Sequence, residues 1–235
     1  MTKPAQPNQS VETGIRCIEW IAAAAEPVGV RELARELDLN RTQVNRLLMT
    51  LEDIGIFKKT SAGKYMPGAG LHVLAALAAE GSGLLRESYS AMKVWRDDGY
   101  AATVGVLWRG RICHVLHARP EIPYELSIGA KRIADASESS AGLLLTALTD
   151  DKGNALIRRR KYAVKKFDDS TVSIGVPIGR DPVLAAVAVS KKGILKNEIT
   201  GIVRRLRLTA QLIEDRIRIS RSEERRVGKE CRSRW

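Results

Sequence analysis

Between Arg41 and Thr50 the chain reads RTQVNRLLMT, with two arginines, two threonines, a glutamine, an asparagine and no carboxylate. These are side chains that recognise nucleic acid. Arg pairs in two-pronged fashion with guanine, Asn and Gln pair with adenine, and Thr bonds phosphate oxygens. Arg41, Gln43 and Asn45 are therefore candidates for base edges and Thr42 and Thr50 for phosphates. Arg46, one turn beyond Thr42, suits base or backbone. A few residues on, Lys58, Lys59 and Lys64 punctuate a short Gly-containing run, where each neutralised phosphate adds affinity by releasing counterions. A merely solvated polar face is the bland alternative, and it fits poorly with an exposed helix that lacks acidic residues.

Such side chains need a rigid helix beneath them, and the flanking pattern supplies one. Val44, Leu47, Leu48 and Leu51 recur at helical spacing, which turns Arg41, Thr42, Gln43, Asn45, Arg46 and Thr50 outward. Asn40 is a good cap for this helix, and Asp38-Leu39-Asn40 forms a tight turn after a preceding helix over about Val30–Glu36 with Leu33, Ala34 and Leu37 inward. Upstream, Ser10 is placed to cap a helix reaching about Ala25, with Ile15, Ile18 and Ile21 on one face and Cys17 and Trp20 flanking it. Pro27 and Gly29 stop that helix. Gly55 ends the reading helix, and Ile56–Tyr65 forms a hairpin turning near Ser61-Ala62-Gly63. Two helices, a turn and a basic hairpin make a winged helix-turn-helix, whose second helix enters the DNA major groove.

The net charge of +12 invites the same conclusion, but its distribution says otherwise. Residues 1–70 hold nine Lys or Arg against eight Asp or Glu. The acids gather in the first two helices (Glu12, Glu19, Glu26, Glu32, Glu36, Asp38), so local asymmetry carries the argument and bulk charge does not.

No apolar run approaches the roughly 20 residues of a membrane helix, and the first ten residues lack the apolar core of a secretory signal. Cys17, Cys113 and Cys231 are odd in number and far apart, so no disulfide framework is implied. A cytoplasmic protein without membrane partners is expected.

The order of features resembles the IclR-type bacterial transcriptional regulators over about residues 10–220. The likeness is strongest in Asn40-Arg41-Thr42-Gln43-Val44-Asn45-Arg46-Leu47-Leu48, then Leu51, Gly55 and Lys64-Tyr65-Met66-Pro67-Gly68. That family's pattern is a Ser/Thr pair, an aliphatic and a variable residue, Arg-Leu-Leu, and later Tyr-x-Leu-Gly. Here Gln43 replaces the second hydroxyl and Pro67 the Leu. The resemblance implies an α+β chain: an N-terminal winged helix-turn-helix, a linker helix, and a C-terminal GAF-like antiparallel sheet covered by helices. It implies a double-stranded DNA operator, a small organic acid effector, and a homo-dimer or dimer of dimers acting as a regulator such as a repressor.

On that basis the chain divides into an arm (residues 1–9), a winged helix-turn-helix (10–68), linker and dimerisation helices (69–98, with Ala69–Glu80 and about Gly83–Asp97), and an effector domain (99–220). Strands are expected over Ala101–Leu107 and Arg111–Ala118, joined at Trp108-Arg109-Gly110, and over Ser173–Ile178 and Val183–Val189, joined at Gly179–Pro182. A buried helix is expected over Ala141–Ala147. A closing helix over Glu198 to about Ile219 directs Ile199, Ile202, Leu206, Leu208, Leu212 and Ile213 inward. Residues 221–235 lack apolar periodicity and read as a non-native tail, against the alternative of a native basic one.

The effector candidates follow from the resemblance. Ser139 and Ser140 stand where the family has a polar helix start, a position suited to an anion, although simple capping explains them equally well. Asp168 and Asp169 are the candidates for an acidic pocket residue, with Asp169 preferred, and Ser190 for a serine after the last strand. Only about thirty residues separate Leu145 from Ser173, an interval filled by Arg158–Lys161 and Lys165-Lys166, and this points to a reduced effector site.

Other chemistry is weakly supported. Cys113-His114-x-x-His117 suggests a metal, but on a regular strand His114 and His117 face opposite ways and no further cluster completes a set. Cys113 has no base in reach for a nucleophile. Gly68-Ala69-Gly70 follows no βαβ strand and makes no phosphate loop. No cofactor, metal or catalytic residue is assigned. The rival readings are an enzyme domain over residues 100–220 with an appended winged helix, and a winged-helix protein whose degenerate C-terminal half only oligomerises.

Overall fold

The computed structural model describes residues 6, 8–150, 153–179 and 182–232. Most of the expected arm and the last three residues of the expected tail lie outside them. The chain forms two compact units, one ending at Ala78 and the other beginning at Ala79, and each closes around its own core.

The first unit contains α1 (Gln9–Ala23), α2 (Val30–Leu37), α3 (Arg41–Asp53), β1 (Phe57–Lys59) and β2 (Tyr65–Pro67), and α4 (Ala69–Ser82) starts within it. Its core joins Cys17 and Ile21 of α1, Leu33 and Leu37 of α2, Val44 and Leu48 of α3, and Phe57 and Tyr65 of the hairpin. Two expectations for α1 need correction. Its cap is Asn8, whose side chain accepts from Val11 N at 3.2 Å, so Ser10 lies inside the first turn. Its buried ridge is Thr13, Cys17 and Ile21, a strict four-residue repeat, and this turns Ile15 outward to 39% exposure.

The hairpin pairs Phe57 with Pro67 and Lys59 with Tyr65, and Val28 adds a bridge to Tyr65. Gly68 and Gly70 then meet the turn that ends α3. Gly70 N donates to Gly55 O at 2.8 Å, and a Cβ on Gly70 would stand 2.8 Å from that same oxygen. These glycines therefore serve close backbone packing.

In the second unit, α5 (Leu84–Asp97) precedes β3 (Ala101–Trp108), β4 (Arg111–Ala118) and β5 (Ile128–Asp135). Next come α6 (Ser140–Thr149), α7 (Ala155–Arg160), β6 (Ala163–Lys166), β7 (Thr171–Ile178), β8 (Ala185–Lys192) and α8 (Ile199–Arg232). The strands form one antiparallel sheet in the order β5-β4-β3-β8-β7-β6. Helices α5 and α8 cover one face through Met92, Trp95, Leu206, Ile213 and Ile217 against Val104, Ile174, Val176, Val187 and Val189. The other face carries α6, which rests on Ala186, Ala188, Gly105 and Gly175. Small strand residues let the helix approach closely, and this explains Gly105 in β3, Gly175 in β7 and the alanines of β8.

The α+β architecture is the expected one, with several differences of detail. Strands β5 and β6 and helix α7 occupy stretches to which the sequence pattern assigns no element. Helix α8 runs past Ile219 to Arg232. Its buried ridge is Ile202, Leu206, Ala210, Ile213 and Ile217, so Leu208 and Leu212 face outward at 65% and 45% exposure. Of the expected turn between β7 and β8, Arg180 and Asp181 lie outside the described residues.

Candidate nucleic-acid interface and effector site

Helix α3 is anchored at its start by Asn40, whose side-chain oxygen accepts from Thr42 N at 2.8 Å and Gln43 N at 3.4 Å. Val44 and Leu48 are fully buried beneath it, and α3 packs on α2 and β1. That burial sets the rotation of the helix, leaving Arg41, Thr42, Gln43, Asn45, Arg46 and Thr50 all exposed. Among the described residues, neither Arg41 nor Arg46 has an ion-pair partner, so both guanidiniums are available to DNA. Thr50 is less free: its hydroxyl donates to Arg46 O at 3.0 Å and must rotate before it can donate to a phosphate. Asn45 makes only a weak contact from its amide to Met49 Sδ at 3.5 Å.

In the hairpin, Lys58, Lys59 and Lys64 are exposed. Lys59 Nζ lies 5.5 Å from the centroid of the Tyr65 ring, which holds its stem while the charge stays in water. The turn between them closes through Thr60 N to Lys64 O and Gly63 N to Thr60 O, with Gly63 at φ +75°. The element thus offers cations on a rigid two-stranded support.

The effector candidates in the second unit divide into two groups. Ser139 caps α6 by accepting from Gly142 N at 2.9 Å, and Gly142 is required there because a Cβ would run into Ala136 O. Ser140 is fully buried, and its hydroxyl lies 2.7 Å from that of Ser173. Ser173 stands beside Ser190 in the β7–β8 register, so Ser140, Ser173 and Ser190 form one hydroxyl group at the start of α6. Asp169 stands apart in the turn after β6. Its carboxylate accepts from Thr171 N at 3.0 Å and pairs with Lys192 at 3.4 Å, contacts that hold it below the usual carboxylate range. The first turn of α6 is buried, so an anion there meets the hydroxyl group and not a row of open N–H groups.

Sequence reasoning missed four neighbours of this group. A β-bulge at Val115 breaks the alternation of β4, pairing His114 with Gly105 and His117 with Thr103. The two histidines therefore share the α6 face, with ring centroids 6.0 Å apart, and do not point to opposite faces. Thr103 lies on the same face beside Ala188, the neighbour of Ser190 two residues back. Lys165, opposite Ser173, donates to Ser137 O at 3.1 Å just before α6. The spacing of Ala163 and Lys165, two apart and so on one face of a strand, was the one sequence signal available.

Among the described residues, no three His, Cys, Asp or Glu gather as a metal set, and no helix is long and apolar enough to cross a membrane. Burial pushes the Cys17 and Cys113 thiols up, which keeps both neutral and poorly nucleophilic.

Residues 10–60 match the sequence profile of the IclR helix-turn-helix domain. No curated protein sequence matches the chain. Among solved structures, the fold is similar to that of an IclR transcriptional regulator from Silicibacter sp. TM1040, at 20% identity and a TM-score of 0.73 over 88% of this chain and 96% of the other. An IclR transcriptional regulator from Alicyclobacillus acidocaldarius matches at 17% and 0.66 over 89% and 99%. An IclR homolog from Microbacterium hydrocarbonoxydans, solved with 4-hydroxybenzoate, matches at 17% and 0.66 over the same shares. Residues 10–60 thus match the IclR helix-turn-helix domain, in a chain whose fold is similar to that of IclR-type regulators.

Proposed function

We propose that the chain is a ligand-responsive, DNA-binding transcription regulator with no catalytic activity. It reads a roughly palindromic operator with α3 and steadies it with the wing. The observation that carries this reading is the exposed, carboxylate-free face of α3, held at a fixed rotation within an IclR helix-turn-helix domain. Arg41, Gln43 and Asn45 approach base edges, and Thr42, Arg46, Thr50, Lys58, Lys59 and Lys64 supply the remaining contacts.

Assembly as a homo-dimer or dimer of dimers is supported by α4. It has no buried residue and leaves Val73, Leu74 and Leu77 more than half exposed, an apolar helix that calls for a partner. Two-fold symmetry then places half-sites one or more helical turns apart.

The test is selection of bound duplex from a random pool by the full chain, repeated with Arg41→Ala and Lys59→Ala. Arg41→Ala relaxes base preference at one position, at about 1–3 kcal/mol, while Lys59→Ala weakens all sequences alike. Recovery of an unenriched pool by the wild type sinks the proposal.

The effector site is the hydroxyl group of Ser140, Ser173 and Ser190 with Ser139 at its rim, and the ligand class is a small organic acid. The 4-hydroxybenzoate bound to the Microbacterium homolog makes aromatic acids the first probes. A second reading, in which this half only oligomerises, gains support because Ser140 and Ser173 satisfy each other and Ser139 is committed to Gly142. A rise in melting temperature with added acid separates the two, since a ligand of the native state stabilises by mass action.

A further inference from the structure

The exposed side of α3 carries two flanks with different surroundings. Residues one turn apart stack along a helix, so Thr42, Arg46 and Thr50 make one ridge and Arg41 and Asn45 another. The first ridge borders a groove of about 430 Å³, which Ser10 from the first turn of α1 lines together with Asn40, Gln43 and Leu47. Arg41 and Asn45 lie outside it.

Among the described residues, the Ser10 and Thr42 hydroxyls and the Arg46 guanidinium have no hydrogen-bonding side chain or backbone partner, and no carboxylate lines the groove. Two hydroxyl donors and one guanidinium around a recess suit a single oxyanion. The shape selects which one. Base edges lie at the floor of the major groove and are reached by protruding side chains. The phosphodiester backbone is a ridge, and a ridge enters a recess.

We infer that this groove seats one backbone phosphate of the bound duplex, with Ser10 as a DNA contact and Arg46 serving phosphate instead of a base. The inference rests on the DNA-reading function proposed above. It divides the labour on α3: Arg41, Gln43 and Asn45 read, while Thr42, Arg46 and Ser10 hold register. It also gives α1 a role in binding beyond packing under α3.

The experiment uses the full chain and a duplex recovered from the random pool, with affinity measured against salt for the wild type, Ser10→Glu, Ser10→Ala and Arg46→Ala. Arg46→Ala lowers affinity for recovered and scrambled duplexes by similar factors, and makes the slope of log affinity against log salt shallower by about 0.9. Ser10→Glu sets a carboxylate against the phosphate and weakens binding on the order of tenfold at low salt. The same carboxylate, in the first turn of α1, favours the helix dipole, so the melting temperature holds or rises. Weaker binding with undiminished stability is a result that misfolding does not produce. Ser10→Ala gives a smaller loss of the same kind.

Three results overturn the inference. One is Ser10→Glu binding DNA like the wild type. Another is Arg46→Ala altering base preference at a defined position. The last is millimolar inorganic phosphate stabilising the wild type but not Ser10→Glu while both bind DNA alike, which makes the groove a free-anion site. Failure of the wild type to bind any duplex overturns the DNA-reading function along with it.

Discussion

The hydroxyl of Ser140, at the start of α6, lies 2.7 Å from the hydroxyl of Ser173 on β7, and both side chains are buried. One donates and the other accepts, so each satisfies its partner where water is absent. Removing either alone strands the other, at about 1–3 kcal/mol, whereas removing both trades a hydrogen bond for apolar contact at little cost. Ser140→Ala and Ser173→Ala should each lower the urea midpoint of the second unit, and the double variant should lie close to the wild type. A double variant with the summed loss of the two singles would show that the hydroxyls do not act as a pair.

The close approach of Gly70 to Gly55 gives a second prediction. A methyl group on Gly70 would meet backbone oxygen and not a flexible side chain, so the start of α4 must shift. Gly70→Ala should destabilise the first unit by about 1–3 kcal/mol, even though alanine is otherwise the better helix former. Thermal unfolding followed by circular dichroism measures it. An unchanged or raised midpoint would mean that the contact relaxes without cost.

The parts legible in the sequence were those in which a local rule and the tertiary fold agree. Asn40 caps α3, and Val44 and Leu48 set its rotation, so the reading face followed from spacing alone. The cap of α1 did not, because Asn8 and Ser10 are both good caps two residues apart, and packing of Cys17 and Ile21 decides between them. On α8 small Ala210 occupies the buried ridge that larger Leu208 and Leu212 seemed to claim. Strand β6 was hidden because edge strands carry charge on purpose, and Lys165-Lys166 reads as a solvated run. The gathering of His114 and His117 on the hydroxyl side of the sheet depends on the bulge at Val115, a register shift with no local signature.

Asn40 couples fold and function in one residue. Its side chain satisfies two N–H groups at the start of α3, immediately beside Arg41. Asn40→Ala should cost about 1 kcal/mol of stability in the first unit and lower DNA affinity through fraying of the first turn. Asn40→Asp keeps the cap, so it should restore stability while its added charge still weakens DNA binding. Equal stability in Asn40→Ala and the wild type would contradict the capping role.

Burial of Cys17 gives the first unit an alkaline-sensitive contribution to its stability. Its thiol is buried in the core, and desolvation raises its pKa above the ordinary value of 9.0, with nearby Arg16 opposing this more weakly. Between that value and the higher folded one, the folded thiol keeps its proton while the unfolded thiol loses it. The folded state then binds more protons, so the thiol's contribution to stability must fall as pH rises through this window and stay flat below it. Urea midpoints of the first unit at a series of pH values around and above 9 should show that decline. Cys17→Ala should lower the midpoint at neutral pH through the lost packing while removing the part of the alkaline slope that belongs to the thiol. An alkaline decline of the same steepness in the alanine variant would place the titrating group elsewhere.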